Sequence, residues 1–213
     1  MAVAVIADII GSRALPDRGA AQRVLDDTIV RVEGDLPVAV RGLRPVFSDE
    51  LQGEFDTVEA ALAFVLMLQL ALPDDIGCRF GVGIGSVRLV ASAGGDLPEG
   101  PAWWSAREAI EIVHEKQQRS VPGARTWIVP AAEEPASVHR QVDLANAYLL
   151  ARDQLVVAMT ERTRRLVYGR CRGLTQRQLA AEEGISQPAV SQALASAGAS
   201  AVIGGFELLR AGL

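Results

Sequence analysis

The sequence is poor in residues that build metal clusters and covalent cross-links. It has two histidines, two cysteines and a single lysine, Lys116. His114 and His139 are too isolated to form a metal cluster, and Cys78 and Cys171 fall in different predicted domains. A disulfide framework is therefore not expected, and a reducing, cytoplasmic location fits.

The sequence also lacks any hydrophobic run of the ~20 residues that a membrane-spanning helix needs. Its apolar start, MAVAVIADII, has no basic leader and meets Asp8 after a few residues, so we expect a strand there and not a signal peptide. Hydrophobic residues make up 49% of the 213 residues, which is enough for a packed core. We expect one medium domain and one small domain, with no membrane partner.

The net charge of −5 is unevenly distributed along the chain. Residues 1–142 carry 13 basic residues against 20 acidic ones, whereas residues 143–213 carry 8 arginines against 6 acidic residues. An acidic region repels nucleic acid and a basic region attracts it. Any contact with nucleic acid is therefore expected from the C-terminal part.

Strands and helices alternate in the N-terminal part. The Val- and Ile-rich run at 2–10 predicts a central strand buried on both faces, and residues 37–55 predict a β-hairpin tipped by Ser48, Asp49 and Glu50. The other predicted strands are 78–90 and 125–129, with a loop at 91–101 and helices at 18–33, 58–72, 102–118 and 138–159. This order is typical of an α+β fold with helices on a mixed sheet.

Three alternate glycines, Gly81, Gly83 and Gly85, lie on one face of the predicted strand at 78–90. Missing side chains let another backbone or a ligand come close. No helix starts directly after them, as a dinucleotide-binding motif requires, so we interpret them as a site of close packing.

Two short helices joined by a glycine turn are predicted near the C-terminus. Thr175 is suited to cap the first helix, Gly184 to end it, and Ser186 to cap the second. Val190 and Leu194 form the inner face of the second helix, and Glu182 and Glu183 of the first are expected to face water. The outward residues of the second helix are Gln187, Ala189, Ser191 and Gln192. Short side chains of this kind suit entry into a major groove, where Gln pairs with adenine.

Arginines cluster just before this helix pair. The segment 160–177 has one acidic residue, Glu161, against Arg162, Arg164, Arg165, Arg170, Arg172 and Arg177. A solvated helix face is the alternative interpretation, but beside the helix pair the cluster indicates contacts to DNA phosphates. The predicted DNA-binding residues are Arg162, Arg164, Arg165, Arg172, Thr175, Gln176, Arg177, Ser186, Gln187, Ala189, Ser191 and Gln192.

The segment from Met159 to about Ala197 resembles the helix-turn-helix of LuxR-type regulators and of region four of sigma factors. In those families a TER sequence precedes GxTxxxxAxxxGIS and a reading helix, and this chain has TER followed by GLTQRQLAAEEGIS. The resemblance implies a double-stranded DNA partner.

Four blocks in residues 1–130 resemble class III nucleotidyl cyclases and the SatD family. ADIIGSR, FSDELQGEF, RFGVGIGSV and GPAWWSAREA are similar, in this order, to the cyclase DIxGF strand, GDxxMxxF hairpin, RxGIxxG strand and GxxVNxAAR helix. The SatD family has an opening DIIGSR and a GPAFWxARxA helix. The resemblance implies a ferredoxin-like, cyclase-like α/β sandwich at 1–137, acting as a sensor and dimerisation domain, before an all-helical helix-turn-helix domain at 138–213.

A nucleotide site is predicted where the first strand ends. A buried carboxylate such as that of Asp8 needs a cation or a hydrogen-bonding partner, and Asp49 lies at the hairpin tip. If the two elements are adjacent, both carboxylates and the Ile9 carbonyl form an oxygen site for Mg²⁺ with a triphosphate. The alternative is that each aspartate caps a turn. The predicted nucleotide-binding residues are Asp8, Ile9, Ile10, Gly11, Ser12, Arg13, Asp49, Trp104 and Arg107, and the predicted metal ligands are Asp8, Ile9 and Asp49.

Phosphate binding is expected from the loop after this strand, because Gly11 and Ser12 precede a predicted helix N-terminus and Arg13 adds positive charge. Three departures from the cyclase pattern count against catalysis. Trp104 replaces the helix asparagine, and the helix arginine is displaced to Arg107. The base-reading lysine is missing near the hairpin, where only Arg41 and Arg44 are present. Losing one such donor typically lowers an enzyme's rate ~10²- to 10³-fold.

Three functions are compatible with these patterns. The first is a homodimeric transcriptional regulator whose N-terminal domain binds a nucleotide or a cyclic (di)nucleotide, since helix-turn-helix proteins usually read two half-sites. The second is an active nucleotidyl cyclase with an attached DNA-binding module. The third is a ligand-independent DNA-binding dimer.

Overall fold

The computed structural model describes residues 2–47, 49–91, 97–196 and 198–213. The predicted hairpin-tip residue Ser48 and residues 92–96 of the predicted loop at 91–101 lie outside the described residues, and so does the side chain of Arg13.

A five-stranded mixed sheet forms the centre of the α+β part. In spatial order its strands are β2 (Ala39–Phe47), β3 (Glu50–Phe55), β1 (Ala2–Ile9), β4 (Cys78–Gly85) and β7 (Thr126–Pro130). Neighbouring strands are antiparallel except β4 and β7, which are parallel. The prediction of a central, buried first strand is confirmed, as its continuous apolar run requires.

Helices cover both faces of this sheet. Helices α1 (Arg18–Asp35) and α2 (Val58–Ala71) pack on one face, and α3 (Pro101–Arg119) packs on the other. Side chains alternate along a strand, so odd-numbered residues of β1 lie in the first core and the even-numbered Ala4 and Ile6 lie in the second. The predicted α+β class is confirmed.

An all-helical region follows β7, as predicted. Its helices are α4 (Ala136–Ala158), α5 (Glu161–Cys171), α6 (Gln176–Glu182), α7 (Gln187–Ser196) and α8 (Ala199–Ala211). Helices α5 and α8 pack against α2, and their buried side chains continue the core between α1, α2 and the sheet. Among the described residues no single helix has the length and apolarity of a membrane span; one pair, Gln187–Ala195 with Ala199–Ala211, meets that test only jointly and is bent by 82°.

The predicted strand at 78–90 is wrong in its second half. The Ser86 carbonyl accepts the N–H of Ala102 at the start of α3, so the chain leaves the sheet after Gly85. The exposed residues that follow form β5 (Arg88–Val90), which pairs with β6 (Leu97–Glu99) in a separate two-stranded sheet.

Polar side chains of α4 cover the outer edge of β7. The side-chain amide of Asn146 accepts the N–H of Ile128 and donates to its carbonyl, both at 2.9 Å. The fully buried carboxylate of Asp153 accepts the N–H groups of Arg125 at 2.8 Å and Thr126 at 2.7 Å. These bonds take the place of a further strand, which an uncovered edge would otherwise attract from another chain.

The alternate glycines of β4 allow α3 to pack directly on the strand backbone, so the interpretation as a packing site is confirmed. A Cβ atom on Gly83 would overlap the Ala102 carbonyl and the Ala106 nitrogen, and one on Gly81 would overlap backbone atoms of α3. Helix α3 therefore lies closer to β4 than it could if residues 81 and 83 had side chains.

Gly83→Ala is expected to lower the free energy of unfolding by about 1–3 kcal/mol or more, because α3 must move away from the sheet. Urea denaturation followed by circular dichroism measures the change. Gly204→Ala in α8, where a Cβ atom would meet nothing within 4 Å, is the matched control. It should raise the free energy of unfolding by about 0.5–1 kcal/mol, because alanine is the better helix former. Equal stability of Gly83→Ala and the wild type would contradict this packing.

Candidate functional site

Asp8 forms its main contact with Arg79, the residue opposite it on β4. The Arg79 guanidinium donates to both carboxylate oxygens of Asp8, at 2.9 and 2.8 Å. Arg79 is 7% exposed and also contacts His114 and Gln117 of α3. The half-buried Asp8 therefore receives its cation from the protein itself, a role for Arg79 that the sequence did not reveal.

Asp49, in the turn before β3, has different partners. Its neighbour Glu50 is the register partner of Asp8 on β3, so the predicted adjacency of the two elements is confirmed. The Asp49 carboxylate accepts the Ser12 hydroxyl at 2.5 Å and lies 3.8 Å from Arg18.

The two aspartates predicted to bind magnesium have partners within the protein in this structure. Both carboxylate oxygens of Asp8 accept hydrogen bonds from Arg79, and the Asp49 carboxylate accepts one from Ser12. Magnesium bound together with a nucleotide stays a prediction.

The loop after β1 does not lead directly into a helix. Gly11 has a φ of 67°, Ser12–Ala14 form a short 3₁₀ turn, and the N–H of Ile10 donates to Gly77. Helix α1 starts later, at Arg18, where Asp17 caps it. Helix α1 thus starts at the predicted residue, and residues 13–17 separate Gly11 and Ser12 from its N-terminus.

Helix α3 carries both Trp104 and Arg107, and Arg107 contacts the β3 residue opposite Asp8. Arg107 donates to both carboxylate oxygens of Glu50 at 2.5 Å, and this hydrogen bonding raises the pKa of Arg107. Trp104, one turn earlier, is 59% exposed, whereas Trp103 is buried. Predicted residues from β1 and α3 are thus neighbours, with Glu50 as a connecting residue that sequence analysis missed.

Helices α6 and α7 are joined by a turn at 183–186. Thr175 and Gln178 form a reciprocal capping box at the start of α6, Gly184 has a φ of 65°, and the Ser186 hydroxyl accepts the N–H of Ala189 at 3.3 Å. The predicted helix pair and the predicted roles of Thr175, Gly184 and Ser186 are confirmed.

The two helices bury the residues that their spacing predicted. Leu179, Ala180, Val190 and Leu194 are buried. Eight of the predicted DNA-binding residues lie on these two helices and the turn before each. Six of them are exposed: Thr175, Arg177, Ser186, Gln187, Ser191 and Gln192. The other two, Gln176 and Ala189, are half-buried. Ala189 thus differs from its expected outward position, because it lies at the border between the exposed face of α7 and the face around Val190.

Arg164 lies inside the protein, so its predicted role in binding DNA phosphates is wrong. Its guanidinium donates to the carbonyls of Met159 at 3.3 Å and Leu72 at 3.0 Å, and to the Asp74 carboxylate at 2.8 Å. The side chain is 10% exposed. A cation that is buried and bonded in this way stabilises the contact of α5 with α2 and does not reach a DNA backbone.

The neighbouring arginines lie on the surface in ion pairs. Arg165 donates to both oxygens of Glu183, at 2.7 and 2.8 Å, and Arg172 lies 3.1 Å from Asp35 at the end of α1. Glu183 was expected to face water but is half-buried, and its hydrogen bonds with Arg165 lower its pKa.

The fold places this protein among α+β proteins. It has a mixed five-stranded sheet and an all-helical C-terminal region. The model of the SatD family matches residues 2–202. The chain therefore belongs to the SatD family.

Solved nucleotidyl cyclase structures are similar to about half of the chain. The guanylate cyclase domain of RhGC from Catenaria anguillulae, in complex with GTP, is 13% identical over 52% of this chain and 71% of its own, with a TM-score of 0.43. A bacterial light-regulated adenylyl cyclase is 12% identical over 56% and 71%, with a TM-score of 0.43. The guanylyl cyclase Cya2 is 12% identical over 52% and 69%, with a TM-score of 0.41. No curated protein matches the chain.

Asp8→Asn is expected to lower the free energy of unfolding by about 1–3 kcal/mol, because the buried Arg79 loses its charged acceptor. Urea denaturation measures the change. Asp27→Asn, at an exposed position of α1, is the matched control and should stay within about 0.5 kcal/mol of the wild type. An Asp8→Asn variant that is as stable as the wild type would show that Arg79 does not depend on Asp8.

Proposed function

We propose that the protein is a cytoplasmic, DNA-binding transcriptional regulator in which α6 and α7 act as a helix-turn-helix. The surface of α7 is the observation that carries this proposal. Helix α7 exposes Gln187, Ser191 and Gln192, buries Val190 and Leu194, and has no charged residue in its sequence QPAVSQALAS. Such a helix can approach base edges in a major groove, where Gln and Ser side chains form hydrogen bonds.

Helix α7 is held in place by its caps and by packing, and base recognition needs such a rigid support. Ser186 caps its first turn, the positive φ of Gly184 sets the corner after α6, and Val190 and Leu194 belong to the main core. Helix α7 also packs against α5 and α8. Its outer face is therefore presented on a rigid support.

Exposed arginines beside the helix pair supply the contacts to phosphate. Arg177 is exposed near the start of α6, and the side chain of Arg162 is 62% exposed and 3.9 Å from Glu183. Arg165 is 45% exposed and pairs with the same glutamate. Exposed ion pairs contribute only about 0–1 kcal/mol to the stability of a protein. Either arginine can therefore leave Glu183 and bind a DNA phosphate at little cost in free energy.

We further propose that the α+β part binds a nucleotide or a cyclic (di)nucleotide beside Trp104 and forms a homodimer. Glu50, Gln52 and Glu54 are half-exposed on β3, on the sheet face that α3 covers over β1, β4 and β7. The exposed Trp104 ring stands at this border and is suited to stack on a purine, and an exposed aromatic also suits a subunit contact. Pairing of two copies would set the spacing of two reading helices.

Substitutions on α7 should change the preference of the protein for particular base sequences. Substitutions of the arginines that contact phosphate should not change this preference. Gln187→Ala and Gln192→Ala are each expected to cost about 1–3 kcal/mol on the preferred duplex and little on random DNA. Arg177→Ala should weaken binding to all duplexes alike and reduce the salt slope by about one. Fluorescence anisotropy at several salt concentrations, with a duplex selected from a random library, measures these changes.

Arg119→Ala is the matched control, since this arginine is 79% exposed at the far end of α3. It should bind DNA like the wild type. The proposal is wrong if the full-length protein shows no salt-dependent affinity for any duplex.

Nucleotide binding should raise the melting temperature of the full-length protein. A ligand at 100 times its dissociation constant adds about 2.7 kcal/mol of stability. We expect such a shift with at least one of ATP, GTP, cyclic AMP, cyclic GMP or cyclic di-GMP, with or without Mg²⁺, and its loss in Trp104→Ala. Leu208→Ala, at a site that is 79% exposed on α8, is the control and should keep the shift.

The same incubations separate the alternative functions. Formation of a cyclic nucleotide from ATP or GTP that is lost in Asp8→Ala would identify an active cyclase. DNA binding without any nucleotide-dependent shift would identify a ligand-independent dimer and contradict the proposed sensor.

A further inference from the structure

We propose that the protein also binds an aromatic amine in a cleft between the sheet and three helices. The cleft has a volume of about 480 Å³ and lies where the start of α2, the first half of α4 and the end of α8 meet the sheet. From the sheet, Ile84 of β4 and Ile128 of β7 line it. Its volume falls in the range of about 300–1,000 Å³ that is usual for pockets holding small organic molecules.

The cleft is separate from the residues around Asp8 and Trp104. Asp8 pairs with Arg79 at the start of β4, whereas Ile84 lies at the other end of that strand. Ile84 and Ile128 belong to the core on the α2 side of the sheet, and α3, which carries Trp104, packs on the opposite side. A ligand in the cleft therefore does not compete with a nucleotide beside Trp104.

The walls of the cleft are apolar and accessible to a ligand. Each of the three helices contributes half-buried side chains that pack against the main core and keep part of their surface accessible. These side chains are Val58 of α2, Val138, Ala145 and Tyr148 of α4, and Leu209 of α8. A ligand with an apolar body would remove this surface from water, which is the main favourable contribution to binding in such a pocket.

Tyr148 adds an aromatic ring to the wall that α4 forms. Aromatic rings pack on one another in offset-stacked or edge-to-face contacts, and these contacts stabilise binding beyond the burial of apolar surface. A rigid ring system also loses less conformational entropy on binding than a flexible aliphatic chain does. An aromatic body therefore suits this wall.

Two exposed carboxylates determine the charge of the ligand. Asp56 and Glu59 both line the cleft, and neither forms an ion pair with a described residue. The described lining residues include no lysine, arginine or histidine. A carboxylate attracts an ammonium group within about 4 Å and repels another carboxylate. The ligand is therefore a cation whose charge stays at the exposed rim while its rings enter the cleft.

Three ligands with the same indole-ethyl body test this proposal, because tryptamine carries an ammonium group, tryptophol a hydroxyl group and indole-3-propionate a carboxylate. Isothermal titration calorimetry of the full-length protein at pH 7 and low ionic strength measures their affinities. We expect saturable binding of tryptamine, about 3- to 10-fold tighter than that of tryptophol, with indole-3-propionate the weakest. Absence of tryptamine binding, or tryptamine binding no tighter than that of the other two, would overturn the proposal. These measurements need neither DNA nor a nucleotide, so this proposal and the proposed function can fail independently.

A double variant at the rim tests the contribution of charge. In Asp56→Asn with Glu59→Gln, tryptamine should lose its advantage over tryptophol, and tryptophol itself should bind as it does to the wild type. Glu115→Gln, at a side chain that is 66% exposed on α3, is the matched control and should keep the advantage. A full advantage of tryptamine in the double variant would contradict the assigned site.

A larger side chain at position 145 tests the location. Ala145→Phe extends a ring from α4 into the cleft and should weaken the binding of tryptamine and tryptophol at least about 10-fold. Leu144→Phe, at the neighbouring position that is 74% exposed, is the control and should bind like the wild type. Unchanged binding in Ala145→Phe would show that the ligand binds elsewhere and that the proposal is wrong. If Ala145→Phe does not fold, the double variant at the exposed rim decides the question.

Discussion

Burial of α2 on all sides is the constraint on which the remaining structure depends. Eleven of its 14 residues are buried, from Ala60 to Leu70. The sheet covers one side of this apolar helix, and α1, α5 and α8 cover the others. Exposure of these side chains to water would cost about 25 cal/mol per Å² of apolar surface. The C-terminal helices therefore complete the core of the α+β part, and the proposed sensor and DNA-binding elements are mechanically connected through α2.

Polar contacts around α5 add orientation to this apolar packing. Arg164 holds the carbonyl of Leu72 at the end of α2, and Asp35 at the end of α1 accepts the Tyr168 hydroxyl at 2.5 Å. Arg172 lies beside the same aspartate. Part of the arginine cluster that looked suited to DNA phosphates thus fixes α5 on α1 and α2. This leaves Arg162, Arg165 and Arg177 for the proposed contact with DNA.

The contacts of Asp8, at the end of the central strand, show how strand register changes the chemistry of a motif. Asp8 was expected to need a cation, a hydrogen-bonding partner or solvent, and its partner is the cation Arg79 on the neighbouring strand, 71 residues away. Glu50 and Arg107 form a second pair across β3 and α3. Each of these acidic residues thus has an arginine of the protein as its partner.

The sequence by itself determined the order of the elements, the central position of β1, the close packing at Gly83 and the caps at Thr175 and Ser186. Periodicity, glycine conformations and helix caps depend on residues a few positions apart, so they are legible without a structure. Tertiary structure alone decided the end of β4 at Gly85, the burial of Arg164, and the pairing of Asp8 with Arg79. An ionisable side chain takes its role from whichever distant residue packs against it, and packing at such separations follows from the whole sheet and core.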